Sequence, residues 1–289
     1  MTFSTVVAGL DLGPRTQAVA EFSQALASRL GAKLVHLHAE DDAPLPHEWA
    51  ELAAEADRLR REAAQRHSFQ GEAEVVWRAG PAAAELQDEA QARKAGFVVV
   101  GTGATGASPD LGRNTTHMLR SVTLPLCLVP THEGAHTALT GGNIVAPVDF
   151  SKESNQALGF VRELAERLSV KVSLVSVVRP PGLVAHLGAK GGALLPELLQ
   201  SRLNAALGDL RAAAAAAGLE QASLHVVEGD DVAFAILDAA QEVDADLIVL
   251  PAHDKGRIER FFIGSTTEKL ARISDRPVLV FPPSWLQQT

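Results

Sequence analysis

Short apolar runs alternate along the chain with longer segments in which apolar residues recur every three or four positions. The first run, residues 5–10, is typical of a strand that is buried on both faces. The next segment carries Val19, Phe22 and Leu26 on one helical face, and Gly31 ends it. In the first half, this alternation predicts strands at 5–10, 33–38, 73–77, 97–100 and 126–129, and helices at 15–30, 48–66, 82–94 and 115–121.

The alternation then starts again and predicts a second set of elements in the same order. Strands are expected at 143–148, 171–177, 223–227, 247–250 and 278–281, and helices at 154–168, through 212–217, at 232–241 and from 264. Matching residues stand 138 to 152 positions apart, namely Asp11 and Asp149, Gly80 and Gly229, and Pro125 and Pro277. A repeat of this length indicates two homologous domains. Alternating helices and buried strands indicate a parallel, doubly wound sheet in each domain.

A stretch of small residues without periodicity separates the two sets of elements. It predicts a first domain at 1–132, a linker at 133–142 and a second domain at 143–289. A chain of 289 residues suits two domains, since one domain commonly has about 100–200 residues.

Composition and charge exclude several classes of function. The formal net charge of −9 argues against nucleic-acid or anionic-membrane partners, which require a basic surface. No apolar run approaches the ~20 residues of a membrane span, and the N-terminus lacks the basic start of a secretory signal. We therefore expect a cytoplasmic protein. The sequence contains no Ser-His-Asp order, HExxH, CxxC or Walker-type glycine loop, so it offers no catalytic constellation and leaves enzymatic activity open.

Candidate binding chemistry gathers around residue 264. Gly264, Ser265 and Thr266 follow a polar, cationic loop and begin a helix. A helix start presents free backbone N–H groups and a positive dipole end, which together favour an anion. In the preceding loop, His253 either contacts a ligand or caps backbone groups. The basic residues of that loop, among them Lys255, are either solvated or replace lost backbone donors.

Two other pairs of polar residues follow predicted strands. Asp11 and Asp149 each stand directly after the first strand of a half, where an aspartate can cap the next helix. His36 and His38 share one face of the second strand, a spacing that could hold a metal. Because no third ligand stands nearby, we expect them to line the cleft, and we predict no metal.

Several stretches resemble the universal stress protein family. They are residues 144–151 with the helix that follows, residues 227–230, and residues 262–265 with Pro277 thirteen positions beyond Gly264. The first half is similar more loosely, through residues 7–11 and 124–129. Together these stretches cover nearly the whole chain, which therefore resembles a tandem universal stress protein.

The resemblance implies an α/β architecture of two tandem Rossmann-like (HUP-type) domains. Each would have a five-stranded parallel sheet of order 3-2-1-4-5 with helices on both faces. The last strands, 126–129 and 278–281, would face each other and form an intramolecular pseudo-dimer about a pseudo-twofold axis. We expect the two five-stranded sheets to remain separate.

The resemblance also implies a ligand site at the carboxyl ends of the strands, where their order switches. Family members that bind ATP carry Gly-x2-Gly-x9-Gly-Ser/Thr after the fourth strand. The second half keeps Gly264-Ser265, but Pro251 and Asp254 stand at the first two glycines, and the first half has Gly112-Arg113 at the last two positions. The implied binding residues are Val148, Asp149, His253, Lys255, Gly264, Ser265 and Thr266 in the second domain, and Asp11 in the first. The implied cofactor is ATP or AMP in the second domain.

These observations favour a stress-response binding or regulatory protein with altered or weak nucleotide binding in its second domain. One alternative is an ATP-binding switch that slowly hydrolyses the nucleotide. Another is a ligand-free scaffold for protein partners. The expected partners are unidentified proteins and a nucleotide or other small anion, and a further homodimer is compatible with the sequence.

Overall fold

The computed structural model describes residues 3–11, 13, 16–40, 73–103, 111–120, 123–180, 194–252 and 264–282. The strands are β1 Thr5–Gly9, β2 Lys33–Glu40, β3 Glu74–Ala79, β4 Phe97–Gly101, β5 Leu126–Val129, β6 Asn143–Pro147, β7 Lys171–Val178, β8 Ser223–Glu228, β9 Leu247–Pro251 and β10 Val278–Phe281. The helices within these residues are α1 Thr16–Leu30, α2 Ala82–Ala92, α3 Arg113–Arg120, α4 Lys152–Leu168, α5 Leu194–Ala216, α6 Val232–Glu242 and α7 Ser265–Ile273.

The predicted elements within the described residues are confirmed, with ends that differ by a few positions. The helix predicted at 48–66 lies outside the described residues. None of the helices that the structure describes is long and apolar enough to span a bilayer.

The strands form one ten-stranded sheet of order β3-β2-β1-β4-β5-β10-β9-β6-β7-β8. Each half contributes five parallel strands in the order 3-2-1-4-5, which confirms the predicted fold class. The order reads the same from either edge, as expected for two halves related by a pseudo-twofold axis. Among the strands that the structure describes, β5 and β10 alone pair antiparallel, with Leu279 opposite Cys127.

The expectation of two separate sheets is wrong, because the β5–β10 pair joins them through backbone hydrogen bonds. Every residue of both strands is buried, so water cannot satisfy the backbone groups of a free edge there. Pairing the two edges with each other satisfies those groups. Burial also raises the pKa of the Cys127 thiol at this seam and keeps the thiol in its unreactive form.

Hydrophobic cores cover both faces of the sheet and run through both halves. On one face the core includes side chains of α1, α4 and α5, and on the other it includes those of α2, α3, α6 and α7. Four phenylalanine rings connect the cores of the two halves. The ring centroid of Phe3 lies 5.1 Å from that of Phe97 and 6.1 Å from that of Phe160, and the centroid of Phe160 lies 4.5 Å from that of Phe281. The two halves therefore share their core as well as their sheet.

The segment predicted as the linker is fixed against the second half. Asp246, which directly precedes β9, is 1% exposed. Its carboxylate accepts hydrogen bonds from Thr140 Oγ1 and from the backbone N–H groups of Gly141 and Gly142, each at 2.9 Å. The backbone N–H of His136 donates a hydrogen bond to the backbone carbonyl of Asp275, in the second half, at 2.6 Å. The division of the chain at 133–142 stays a prediction.

Candidate functional site

A cavity of about 590 Å³ opens at the carboxyl ends of β6, β7 and β9. In the second half β6 lies between β7 and β9, so this is the point where strand order switches and α/β sheets bind ligands. Its apolar wall comes from strand ends and from α5 and α6, including Val148, Val175, Val177, Ala206, Ile236 and Leu250. Its polar groups include Asp149, Ser176, Arg179, Arg202, Asp209 and Thr266.

Asp149 is held by the turn that leads from β6 into α4. Its Oδ1 accepts a hydrogen bond from the Ser151 N–H at 3.0 Å, and Ser151 in turn caps α4 by accepting from the Ser154 N–H at 3.1 Å. Phe150 between them has a φ of 62°, which turns the chain sharply at the cavity wall. Asp149 therefore acts as a turn residue and lines the cavity, whereas the cap of α4 that was predicted for it is supplied by Ser151.

The first turn of α7 also lines the cavity. Gly264 occupies the N-cap position with φ −60° and ψ 147°, and because it has no side chain it cannot itself cap this end of the helix. Thr266 and Thr267 line the cavity, whereas Ser265 is exposed beside it. Because first-turn N–H groups lack partners within their helix, this end carries the partial positive charge that favours an anion.

Two prolines shorten the pairing of β6 with β9 next to the cavity. The backbone N–H groups of Ile248 and Ala252 both donate toward β10. Successive residues of a strand direct their N–H groups to opposite sides, so the N–H of residue 251 would face β6. Pro251 has no N–H, and this hydrogen bond to β6 is therefore missing. By the same alternation Val148 donates toward β7, and Pro147 lacks the donor that would face β9. The β6–β9 ladder accordingly has two residue pairs, whereas the equivalent β1–β4 ladder has four.

A smaller cavity of about 410 Å³ occupies the equivalent position in the first half. Asp11 lines it, but Asp11 Oδ1 already accepts from the Gly13 N–H at 2.9 Å and from Thr16 Oγ1 at 2.6 Å. The N–H of Gly112, the counterpart of Gly264, donates to the Thr102 carbonyl at 2.9 Å. This hydrogen bond holds the start of α3 against the residue that follows β4, and the Gly112 N–H is therefore unavailable to a ligand.

The predicted site residues separate into four groups. Val148, Asp149 and Thr266 line the second-domain cavity, and Asp11 lines the first. Gly264 and Ser265 lie at the helix start that borders the second cavity, while His253 and Lys255 lie outside the described residues.

Sequence reasoning missed the polar residues that β7 and α5 bring to the cavity, Arg179, Arg202 and Asp209. Arg179 directly follows a buried strand, and Arg202 and Asp209 are seven positions apart on one helix, which is about two turns. The place of Arg179 after a buried strand and the helical spacing of Arg202 and Asp209 were the sequence signals that could have indicated these cavity residues.

The two histidines of β2 contact different parts of the first half. His36 is buried against α1, with its Nε2 3.4 Å from Ser23 Oγ, and burial lowers the pKa of His36 to about 4. His38 Nδ1 lies 2.6 Å from the Leu10 carbonyl, its ring packs on Trp77, and it lines the first-domain cavity. Across the described ranges no group of three His, Cys, Asp or Glu residues is placed to hold a metal ion.

These features define a tandem Rossmann-like protein with a switch-point cavity in each half. The chain belongs to the universal stress protein family, whose sequence model matches residues 2–130 and again residues 142–282. This is a stress-response family, and the two matches confirm the predicted tandem arrangement.

Curated relatives resemble parts of the chain. Universal stress protein Sll1654 of Synechocystis is 33% identical over 144 residues, which cover 48% of this chain and 84% of that protein. Stress response protein NhaX of Bacillus subtilis is 39% identical over 57 residues, which are 20% of this chain. The match spans about a third of NhaX, 34% of its length. A solved universal stress protein from Archaeoglobus fulgidus shares the fold, with a TM-score of 0.68 and 21% identity over 98% of this chain and 100% of that one.

Proposed function

We propose that the protein is a stress-response binding protein whose second-domain cavity weakly binds a nucleotide or a smaller phosphate-bearing anion. The observation that carries the proposal is the start of α7, with Gly264 as its N-cap residue, beside a cavity of about 590 Å³. The helix start supplies N–H donors for phosphate, and the apolar wall around Val148 and Ile236 suits a base. Asp149 lines the same cavity and suits a sugar hydroxyl, because a carboxylate accepts hydrogen bonds.

Monophosphates and small anions are favoured over ATP because the loop after β9 departs from the ATP-binding pattern. Pro251 provides no N–H, and Asp254 stands at the second glycine of that pattern, where its carboxylate would repel a triphosphate. One repulsive carboxylate at contact distance costs about 1–4 kcal/mol, or roughly one to three decades of affinity. We therefore expect AMP to bind more tightly than ATP, and ATP turnover to be negligible.

Mass spectrometry of the small molecules released when the purified protein is denatured tests the proposal directly. Calorimetric titrations with AMP, ATP and inorganic phosphate then rank the ligands, and phosphate release over time tests the alternative of a slow ATPase. Tight ATP binding or steady phosphate release would replace the proposal with the ATP-switch alternative. Failure of every ligand to bind would favour the ligand-free scaffold.

Exchanging Ser265 for Glu is expected to abolish phosphate-bearing ligand binding in the second domain. The new carboxylate would stand at the first residue of α7, where it repels the ligand and competes for the free N–H groups. The matched control is Arg113→Glu, which places the same charge at the equivalent first residue of α3. Calorimetry should show loss of affinity in the first variant and unchanged affinity in the second. Equal affinity in the two variants would refute the site, and loss in the control alone would move it to the first half.

The double change Pro251→Gly with Asp254→Gly restores the glycines of the ATP-binding pattern and is expected to strengthen ATP binding. The gain should be about one to three decades, because one change frees the backbone from the fixed φ of proline and the other removes a repulsive charge. Calorimetric titration of each single variant separates the two contributions. If ATP affinity does not rise in the double variant, this explanation of the loop is wrong.

A further inference from the structure

Two arginines meet at the end of the second-domain cavity that β7 and α5 form. Arg179 directly follows β7, and Arg202 lies on α5. Arg202 Nη1 donates a hydrogen bond to the Arg179 carbonyl at 3.1 Å, which holds the Arg202 guanidinium at the strand end. Both side chains line the cavity and both are exposed to solvent.

Neither arginine has a carboxylate within ion-pair distance among the residues that the structure describes. Asp209 lines the same cavity without forming an ion pair with either. The stretch 181–193 between them contains no Asp or Glu, so the intervening segment cannot neutralise them. By contrast, Arg78 and Arg93 both pair with Glu89. In a chain with a net charge of −9, two adjacent cations that form no ion pair with any described residue indicate a position for an external anion.

This cationic pair lies on the opposite side of the cavity from the start of α7. Helix α5 packs on one face of the sheet through Leu210, and α7 packs on the other face through Leu270. The apolar strand ends, such as Val177 and Leu250, line the cavity between them. A single phosphate at α7 would therefore leave the arginines free for a second anionic group.

We infer that the second-domain cavity recognises a nucleotide with phosphate groups at two separate ribose positions, one at the start of α7 and the other at Arg179 and Arg202. The inference rests on the proposed function of this cavity. Guanidinium groups suit the second position because their donors form forked hydrogen bonds with phosphate oxygens. The first half lacks this feature in its sequence, since Asp41 stands at the position equivalent to Arg179.

Calorimetry of the full chain with AMP, adenosine 3′,5′-bisphosphate and its 2′,5′ isomer tests the inference. At least one bisphosphate is expected to bind about tenfold or more tightly than AMP, since charge-assisted hydrogen bonds are added. Arg202→Gln and Arg179→Gln should each lower the ratio of bisphosphate affinity to AMP affinity, and the double variant should bring that ratio to about one. The matched control is Arg211→Gln, an exposed arginine of α5 that does not line the cavity and should leave the advantage intact.

The results separate this inference from the proposed function. If AMP binds but neither bisphosphate binds more tightly, the inference is wrong and the proposed function stands. A bisphosphate advantage that survives in the double variant also overturns the assignment to these arginines. If none of the three ligands binds, both proposals fail. Circular dichroism of each variant verifies that a lost advantage does not come from unfolding.

Discussion

Replacing Phe160 with alanine is expected to lower the free energy of unfolding of the whole chain by about 3–5 kcal/mol, the usual cost of truncating a buried phenylalanine. The side chain is 1% exposed and contacts Phe3 from the first half and Phe281 from the second. Because the cavity would open where the halves meet, both halves should lose stability together. Urea denaturation followed by circular dichroism should show a single transition at a lower midpoint.

Phe234→Ala is the matched control for that prediction. Phe234 is 52% exposed, and the centroid of its ring lies 4.5 Å from Lys269 Nζ. Its loss should change the free energy of unfolding by less than about 1 kcal/mol, since little packing is removed. If Phe160→Ala instead produces two separate transitions, with one at the original midpoint, the halves do not share a cooperative core.

Replacing Asp246 with alanine is expected to cost about 2–5 kcal/mol and to release the linker from the second half. The change leaves the N–H groups of Gly141 and Gly142 and the hydroxyl of Thr140 without their acceptor. His136 would lose the carboxylate that lies 3.6 Å from its Nε2. Hydrogen bonds to a charged acceptor are stronger than neutral ones, and buried donors without a partner carry the full desolvation penalty.

Urea denaturation measures that loss, and limited proteolysis followed by mass spectrometry should show faster cleavage within residues 133–142. Asp238→Ala is the control, because Asp238 is an exposed aspartate on α6 and its removal should change stability by no more than about 0.5 kcal/mol. A linker that is cleaved at the same rate in both variants would show that Asp246 does not hold it.

The fold was largely predictable because its strands are buried and its helices are amphipathic. Runs such as Leu247–Pro251 are apolar at nearly every position, and the 138-residue spacing of Asp11 and Asp149 exposed the repeat. The continuous sheet was harder to foresee. An apolar run such as Leu126–Val129 shows that a strand is buried, but it does not show whether another strand or a side chain covers its edge.

The candidate site was predictable only where its residues lie close to a sequence motif. Asp149 and Thr266 could be predicted as cavity residues, because the sequence indicates both the turn after β6 and the start of α7. Arg202 does not, because its orientation depends on how α5 packs against β7 and β8, and α5 begins after a long stretch without periodicity. The effect of Pro147 was also hidden, since the missing donor matters only once β9 is known to be its neighbour.

The antiparallel join of β5 and β10 has a consequence for how the protein can be assembled. Each half ends in a short apolar strand whose free edge is complementary to that of the other half. Two separately expressed polypeptides, cut within the linker, therefore carry matching edges and can reconstitute the ten-stranded sheet by association. A half expressed alone has the same edge without its partner, so it must cover that edge with a second copy of itself or remain prone to aggregation. The covalent linkage of the halves thus fixes which two edges meet.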